Sequence, residues 1–303
     1  HSASMAAGGI MHPMSFKRMI ESWHSLAFIK YASTYYTQLE KDLGTNFFES
    51  FKLKRPFGSI EEQNDWMGKM KQEGFEDWMG VSDEPVKGIN QPYGIGEVYP
   101  AGKINVITFL KLIKEKFEKE ILFEHFDFEE FTLNEDDVVY AGVKYHQVIF
   151  CEGYQYINNP YFSYLPNNVT KGELLEIESS TLSRELITKG CFIAPHAEKD
   201  IFTVGSTYVW DSTDEQITTA GKKELTDKLS KLGLTRYSIK TQKCGIRPTT
   251  HDRRPLVGSH PVHPQLFIFN GIGSKTVMMA RMLAKPLLED IKGNGNVMQK
   301  KSI

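Results

Sequence analysis

At 303 residues with 40% hydrophobic side chains, the chain has the length of about two domains and enough apolar content for a packed core, which excludes a disordered tail or a disulfide-stapled mini-protein. Lys and Arg number 36 against 38 Asp and Glu, a net charge of −2, so no global field gathers polyanions and DNA is not expected as a partner. Cys151, Cys191 and Cys244 lack metal-ligand or redox-pair spacing, no apolar run reaches the roughly 18 residues of a membrane span, and residues 1–13 carry no basic-then-apolar leader; the expectation is a cytoplasmic chain with reduced thiols.

Gly8, Gly9 and Pro13 interrupt a small-residue opening. The spacing then predicts a helix over 16–43, stopped by Gly44 and broken once inside, whose Trp23, Phe28, Tyr31, Tyr35 and Tyr36 read as core or interface packing. A shorter helix is expected over 59–71, and the Gly- and Pro-rich stretch 85–102 reads as a crossing between layers or domains. Asn105 caps a helix running to about residue 120, in which Val106, Phe109, Leu110, Ile113 and Phe117 recur at helical spacing. Strand-like runs follow at 138–141 and 146–151; the second, with Val148, Ile149 and Phe150 ahead of Glu152 and Gly153, suits the centre of an α/β sheet.

From Gly172 the pattern changes to strands without intervening helices, at 173–177, 190–194 and 201–210, which favours an antiparallel sheet. A helix is expected over 219–232, and a last strand at 266–269 runs through a glycine loop into a helix over 275–291. Alternation of α/β and antiparallel blocks, with no internal repeat, points to a mixed α/β and α+β fold of two interleaved domains.

The strand, glycine loop and helix at 266–291 form the best local anion site. Free N–H groups and the positive end of the helix dipole favour a phosphate or an electron-rich ring, and Lys275 adds a mobile charge. Phe269 and Ser274 stand where a nucleotide-triphosphate loop needs Gly, so that chemistry is set aside; a tight turn with no ligand is the plainer alternative. In Cys244-Gly245-Ile246-Arg247-Pro248, the proline fixes the backbone after Arg247, so its guanidinium either presents a bidentate fork to a ligand carboxylate or pairs with an internal Asp or Glu. His251, His260 and His263 match no zinc spacing, and no metal is expected.

Four segments together resemble the flavin-dependent D-amino-acid oxidase and glycine oxidase superfamily: residues 2–9, Val148 to Gly153, Gly245-Ile246-Arg247-Pro248, and Asn270-Gly271-Ile272-Gly273-Ser274-Lys275. They occur in the family's order over almost the whole chain. The resemblance implies FAD as cofactor and a Rossmann-like FAD-binding domain (1–15, 88–165 and 245–303) interleaved with an antiparallel-sheet substrate domain (16–87 and 166–244). It places Ser4, Ala7, Gly8 and Gly9 along the pyrophosphate and flavin, and Glu152 and Gly153 beside the dinucleotide. It puts Gly271, Gly273, Ser274, Lys275 and Thr276 at the pyrimidine edge of the ring, and Arg247 on the substrate carboxylate. Thr276 departs from the family's usual Gly. So does the lack of a Gly-x-Gly-x-x-Gly turn: Gly94-Ile95-Gly96 is followed by Tyr99, and about 40 residues ahead of Ser2 are expected to be absent, by the size of one βα unit and a strand.

The implied reaction is oxidation of an amine next to a carboxylate (a D-amino acid, glycine or an N-substituted glycine) by hydride transfer to the flavin, with Arg247 and Lys275 as the catalytic residues. Two alternatives stay open: a flavin enzyme acting on a carboxymethylaminomethyl-modified uridine of tRNA, and a non-catalytic flavoprotein that only binds an acidic small molecule or partner.

Overall fold

A computed structural model of the chain describes residues 2–292. The first third forms α1 (Ala3–Ala6), β1 (Ile10–Met11), β2 (Met14–Ser15), β3 (Ile20–Glu21), α2 (Ser25–Leu43), β4 (Phe48–Pro56), α3 (Ile60–Lys69), β5 (Met79–Ser82), β6 (Ile95–Ile104) and α4 (Val106–Lys116). The middle forms β7 (Phe131–Leu133), β8 (Val138–Tyr140), β9 (Val143–Tyr145), β10 (Val148–Phe150), β11 (Thr170–Glu178), β12 (Leu186–Lys189), β13 (Cys191–Pro195), β14 (Ile201–Gly205) and β15 (Val209–Trp210). Then come α5 (Thr219–Lys231), β16 (Ser238–Arg247), β17 (Leu256–Ser259), β18 (Leu266–Asn270) and α6 (Thr276–Lys292).

A ten-stranded sheet runs β1-β6-β4-β12-β13-β14-β11-β15, with β16 also paired to β11 and β5 to β6. Its pairings are antiparallel except β12 with β4. Alternation sends Leu175, Ile177, Ile193, Phe202 and Val204 into one apolar cluster under Leu225 and Leu229 of α5. Gly172, Leu174, Phe192 and Gly205 line a cavity on the opposite face. A smaller sheet, β10-β18-β17, pairs β10 parallel to β18 and β17 antiparallel to it. Helix α6, which follows β18, packs on α2: Phe28, Ile29, Tyr36, Met278 and Met279 share a core, and Tyr36 OH donates to Val277 O at 2.7 Å. The architecture is the mixed α/β fold expected, with its antiparallel block after residue 170.

Several elements differ from expectation for local reasons. The helix expected over 16–43 begins at Ser25, because β2 and β3 close a hairpin held by Ser25 Oγ donating to Pro13 O at 2.6 Å and Leu26 N donating to Glu21 Oε1 at 2.9 Å. Of its aromatic residues, Phe28 and Tyr36 are core, Trp23 and Tyr35 pack against the core, and Tyr31 is exposed. The crossing expected over 85–102 ends in β6, whose buried Ile95, Val98, Ala101 and Ile104 outweigh its Gly and Pro content; a register shift at Phe51/Leu53 leaves Tyr99 and Pro100 out of the pairing with β4. Residues 95–104, expected in the FAD-binding domain, are thus hydrogen-bonded into the large sheet. The run 201–210 is two strands: the chain leaves β14 after Gly205, Phe202 and Val204 are buried, and Tyr208 and Trp210 are exposed. β10, expected at a sheet centre, is an edge strand among the described residues, with Phe150 buried and Ile149 exposed. α4 is capped as expected, Asn105 Oδ1 accepting from Thr108 N at 3.1 Å, and stops at Lys116. Among the described residues no helix is long and apolar enough to cross a membrane.

Candidate functional site

A cavity of about 1230 Å³ opens between the large sheet, the segment 2–10, the ends of β10 and β18, and the first turns of α6. Ser4, Ala7, Gly8, Gly9, Glu152, Gly153, Arg247, Gly273, Ser274, Lys275 and Thr276 all line it. Gly271 does not. It turns at φ 71° against Leu256 and Thr250, so its place is in the packing of the loop behind the cavity wall.

The segment expected as a loop along the cofactor is in part a helical turn: Ser2 Oγ accepts from Ser4 N at 3.2 Å and caps α1. α1 lies flat on β16, where Gly245 leaves room for it. Gly9 has φ 68° and its carbonyl accepts from Ile104 N of β6 at 2.9 Å, and any Cβ here would collide with Ile104 O. Only glycine carries the chain through that point. At the end of β10, Glu152 accepts from Asn159 Nδ2 at 2.8 Å, and burial raises its carboxyl above the usual range. Gly153 O accepts from Asn270 Nδ2 at 2.8 Å, which ties the ends of the parallel neighbours β10 and β18 together.

At the start of α6, residues Gly273–Lys275 form a single tight turn and Thr276 Oγ1 donates to Gly273 O at 3.1 Å. The Lys275 ammonium has no hydrogen bond or ion pair among the described residues. Burial, then Arg253, pull its pKa down to about 8, against Glu21. His12, on the same cavity, has a buried Nδ1 that makes no well-formed hydrogen bond among the described residues, and burial followed by the charge of Lys275 pushes it down to about 4, against the Met14 backbone.

Arg247 ends β16 opposite Thr170 and folds back over Gly172, where any Cβ would collide with its guanidinium. Nη2 donates to Ser206 Oγ at 2.7 Å, Nη1 donates to Thr170 O at 3.5 Å, and the Tyr208 ring lies 4.5 Å from Cζ. Burial pulls its pKa down. No Asp or Glu pairs with it among the described residues, so the internal ion pair that the sequence left open is not formed. A desolvated guanidinium held by neutral groups alone has an unmet demand for an anion.

Sequence reasoning missed His12, Gly172, Ser206 and Tyr208, and Tyr154, whose OH donates to Glu215 Oε1 at 2.9 Å at the cavity wall. His12-Pro13, separated from Gly8-Gly9 by two residues, was a usable local signal. Gly172 meets Arg247 through the pairing of β11 with β16, and Ser206 and Tyr208 through the connection between β14 and β15, both paired to β11.

These groups fit the flavin half of FAD. The wall of small residues admits close backbone approach, the volume exceeds the roughly 300–1,000 Å³ of drug-sized pockets, and the unpartnered Lys275 ammonium and His12 Nδ1 face an electron-rich ring well. Gly94-Ile95-Gly96 is no phosphate turn, since Gly96 lies in β6 under the Trp66 ring.

The comparisons agree with this geometry. A family model described as FAD dependent oxidoreductase matches residues 1–289. A glycine oxidase from Bacillus licheniformis is 28% identical over 128 residues, 41% of this chain, and the matched stretch spans about a third (34%) of that protein's length. Among solved structures, glycine oxidase from Bacillus cereus superposes with a TM-score of 0.80 at 14% identity, covering 98% of this chain and 86% of that one. Iminodiacetate oxidase from Chelativorans gives 0.79 at 13% identity, covering 97% and 87%. The last two likenesses bear on the fold alone, whereas the family match runs nearly end to end: the chain belongs to the FAD dependent oxidoreductase family, with FAD as its cofactor.

Proposed function

We propose that the protein oxidises an amine adjacent to a carboxylate, of the D-amino acid, glycine or N-substituted glycine type. The observation that carries this is Arg247: a half-buried, desolvated guanidinium in the cavity, aligned by Ser206 and Tyr208, with no Asp or Glu paired to it among the described residues. Relatives named as glycine oxidase and iminodiacetate oxidase act on compounds of this kind by their names, and support the reading.

In this proposal Arg247 receives the substrate carboxylate through charge-assisted hydrogen bonds, and so fixes the direction of the neighbouring C–H and C–N bonds. Ser206 and Tyr208 hold the guanidinium in place. FAD, when bound, supplies the acceptor for the hydride lost from the α-carbon. Ser4, Ala7, Gly8, Gly9, Glu152, Gly153, Gly273, Ser274 and Thr276 would hold it, with Lys275 placing positive charge at the helix start. His12, kept neutral by burial and by Lys275, leaves Nδ1 able to accept a hydrogen bond inside the cavity. The FAD-binding region 1–15, 88–165 and 245–303 and the substrate region 16–87 and 166–244 stand as part of the proposal, with 95–104 shared. So does a cytoplasmic setting, which the three free cysteines support.

The test is the visible spectrum of the FAD-loaded protein against D-amino acids, glycine, sarcosine and longer N-substituted glycines. Bleaching by one of them supports the reading. Bleaching by carboxymethylaminomethyl-uridine tRNA alone replaces it with the RNA reading, and a protein that takes up no FAD replaces it with the binding-module reading.

A further inference from the structure

The cavity continues from Arg247 along a row of residues that strand register sets on one face of the sheet. β12 runs parallel to β4 with Ile187 opposite Lys54, which brings Thr188 beside Arg55. Thr188 pairs with Phe192, Phe192 with Gly205, and Gly205 with Leu174, two residues from the Gly172 under Arg247. Arg55, Thr188, Phe192, Gly205, Leu174 and Gly172 all line the cavity. Four inter-strand steps of about 4.8 Å separate β4 from β11, so the row is about 19 Å long, more than a free amino acid fills.

The far end is cationic. Arg55 Nε and Nη2 both approach Glu62 Oε1, at 3.0 and 2.8 Å, while Gly58 N, at 2.7 Å, and Lys189 Nζ take Oε2. Two cations thus share one carboxylate, which leaves one positive charge in excess. Arg55 Nη1 makes no hydrogen bond among the described residues, and the Phe16 ring lies 4.8 Å from Cζ. Lys17, the next residue, also lines the cavity and has no ion pair among the described residues. The two acidic residues of the lining belong to other walls, Glu152 at the end of β10 and Glu215 bonded to Tyr154.

We propose that Arg55 and Lys17 form a second anion subsite, and that the preferred substrate is a secondary amine with a carboxymethyl group on one side, held at Arg247, and on the other a methylene chain ending in a second carboxylate. The proposal rests on the reading of Arg247 as the carboxylate holder. Oxidation at the C–N bond is unchanged by it; the subsite contributes binding. Phe192 and Leu53 line the path between the two cationic ends, and the methylene chain gains by leaving water against them. Nη1 of Arg55 offers the terminal carboxylate a charge-assisted bond that a neutral chain end cannot accept.

The test is titration calorimetry of the FAD-loaded chain with two thioethers that cannot be oxidised at nitrogen, 6-(carboxymethylthio)hexanoate and (hexylthio)acetate. The dicarboxylate is expected to bind about tenfold more tightly, as a charge-assisted contact near the surface allows. Arg55→Gln should reduce that preference to under about twofold, and Lys17→Gln should lower it about threefold, the smaller effect of a solvated charge. Lys17 is exposed and has no ion pair among the described residues, so its variant keeps the test open should Arg55→Gln not fold. The kcat/KM ratio of N-(carboxymethyl)-6-aminohexanoate to N-hexylglycine should follow the same order. Equal affinity of the two thioethers, or a preference that survives both substitutions, overturns the subsite and leaves Arg247 in its role. Failure of both thioethers to bind, with Arg247→Ala unchanged from wild type, overturns both.

Discussion

On one face of the ten-stranded sheet the buried Lys54 lies 3.5 Å from Glu185 and 3.8 Å from Glu97, and the buried Glu173 accepts from Thr218 N, Thr218 Oγ1 and Gln242 Nε2 at 2.8, 2.7 and 2.6 Å. On the other face, one residue further along β4, Arg55 shares the Glu62 carboxylate with Lys189, and across the sheet Arg247 has neutral partners alone among the described residues. The same strands supply both faces, so the difference lies in what each face is for. A buried charge with a full set of internal partners holds its own elements together: Glu173 joins β11 to the start of α5 and to β16. A buried charge without a counter-ion costs the fold free energy until a ligand arrives, and it persists where binding that ligand is the function.

That contrast breaks most sharply at Arg247. Arg247→Ala should raise the apparent KM about a thousandfold while FAD absorbance is retained, the scale expected for removing one partner of a desolvated charge pair. Arg247→Lys should recover only part of it, because an ammonium lacks the planar fork. A KM that does not move would make Arg247 as structural as Glu173. The opposite pattern is expected at Glu173→Ala: three donors lose their acceptor, so stability in urea unfolding should fall by about 3 kcal/mol while KM changes by less than about twofold. A KM loss rivalling that of Arg247→Ala would show that the two faces are not separate. Gly172→Ala sharpens the comparison from within one strand. Its Cβ would occupy the place of the guanidinium, so KM should rise about ten- to a hundredfold by misplacing Arg247, with little change in the unfolding midpoint.

Much of the cavity was legible because it is built from short local motifs. The strand, glycine turn and helix at 266–292, the capped start of α4 and the Arg-Pro end of β16 each declare themselves within ten or so residues, where turn chemistry and periodicity act directly. Gly271 shows the limit of that view: the turn is where it was expected, yet the residue faces Leu256 behind the wall. The partners of Arg247 were not legible: Gly172 reaches it through antiparallel register between segments far apart in sequence, where a single slip would have moved it to the other face, and Ser206 and Tyr208 lie in the β14–β15 connection that the pairings of both strands with β11 bring alongside. The onset of α2 was misplaced for a related reason. Periodicity over 16–24 is compatible with helix, and the hydrogen bonds from Ser25 to Pro13 and from Leu26 to Glu21 decide for a hairpin.

The mildest expected effect lies at the helix start, where the cavity face again leaves a charge unanswered. Lys275 is held at about 8, chiefly by burial and then by Arg253, with Glu21 opposing; His12, which faces it, sits at about 4 and is neutral above about pH 5. For a lysine whose folded value is depressed, the penalty on the folded state is complete below that value and is relieved as pH climbs from about 8 to the unfolded value near 10.5. The FAD-free chain should therefore gain stability from this group between pH 8 and 10.5, and Lys275→Met should be more stable than wild type at pH 7 with the difference shrinking by pH 10. Negative charge at the helix start reverses the sign, because it restores the ammonium and makes its protonation favourable, so FAD loading should flatten or invert the pH dependence. Urea midpoints of wild type and variant at the two pH values, with and without FAD, read this directly: a wild-type-minus-variant difference that does not depend on pH would mean that Lys275 is already answered inside the chain, as Lys54 is.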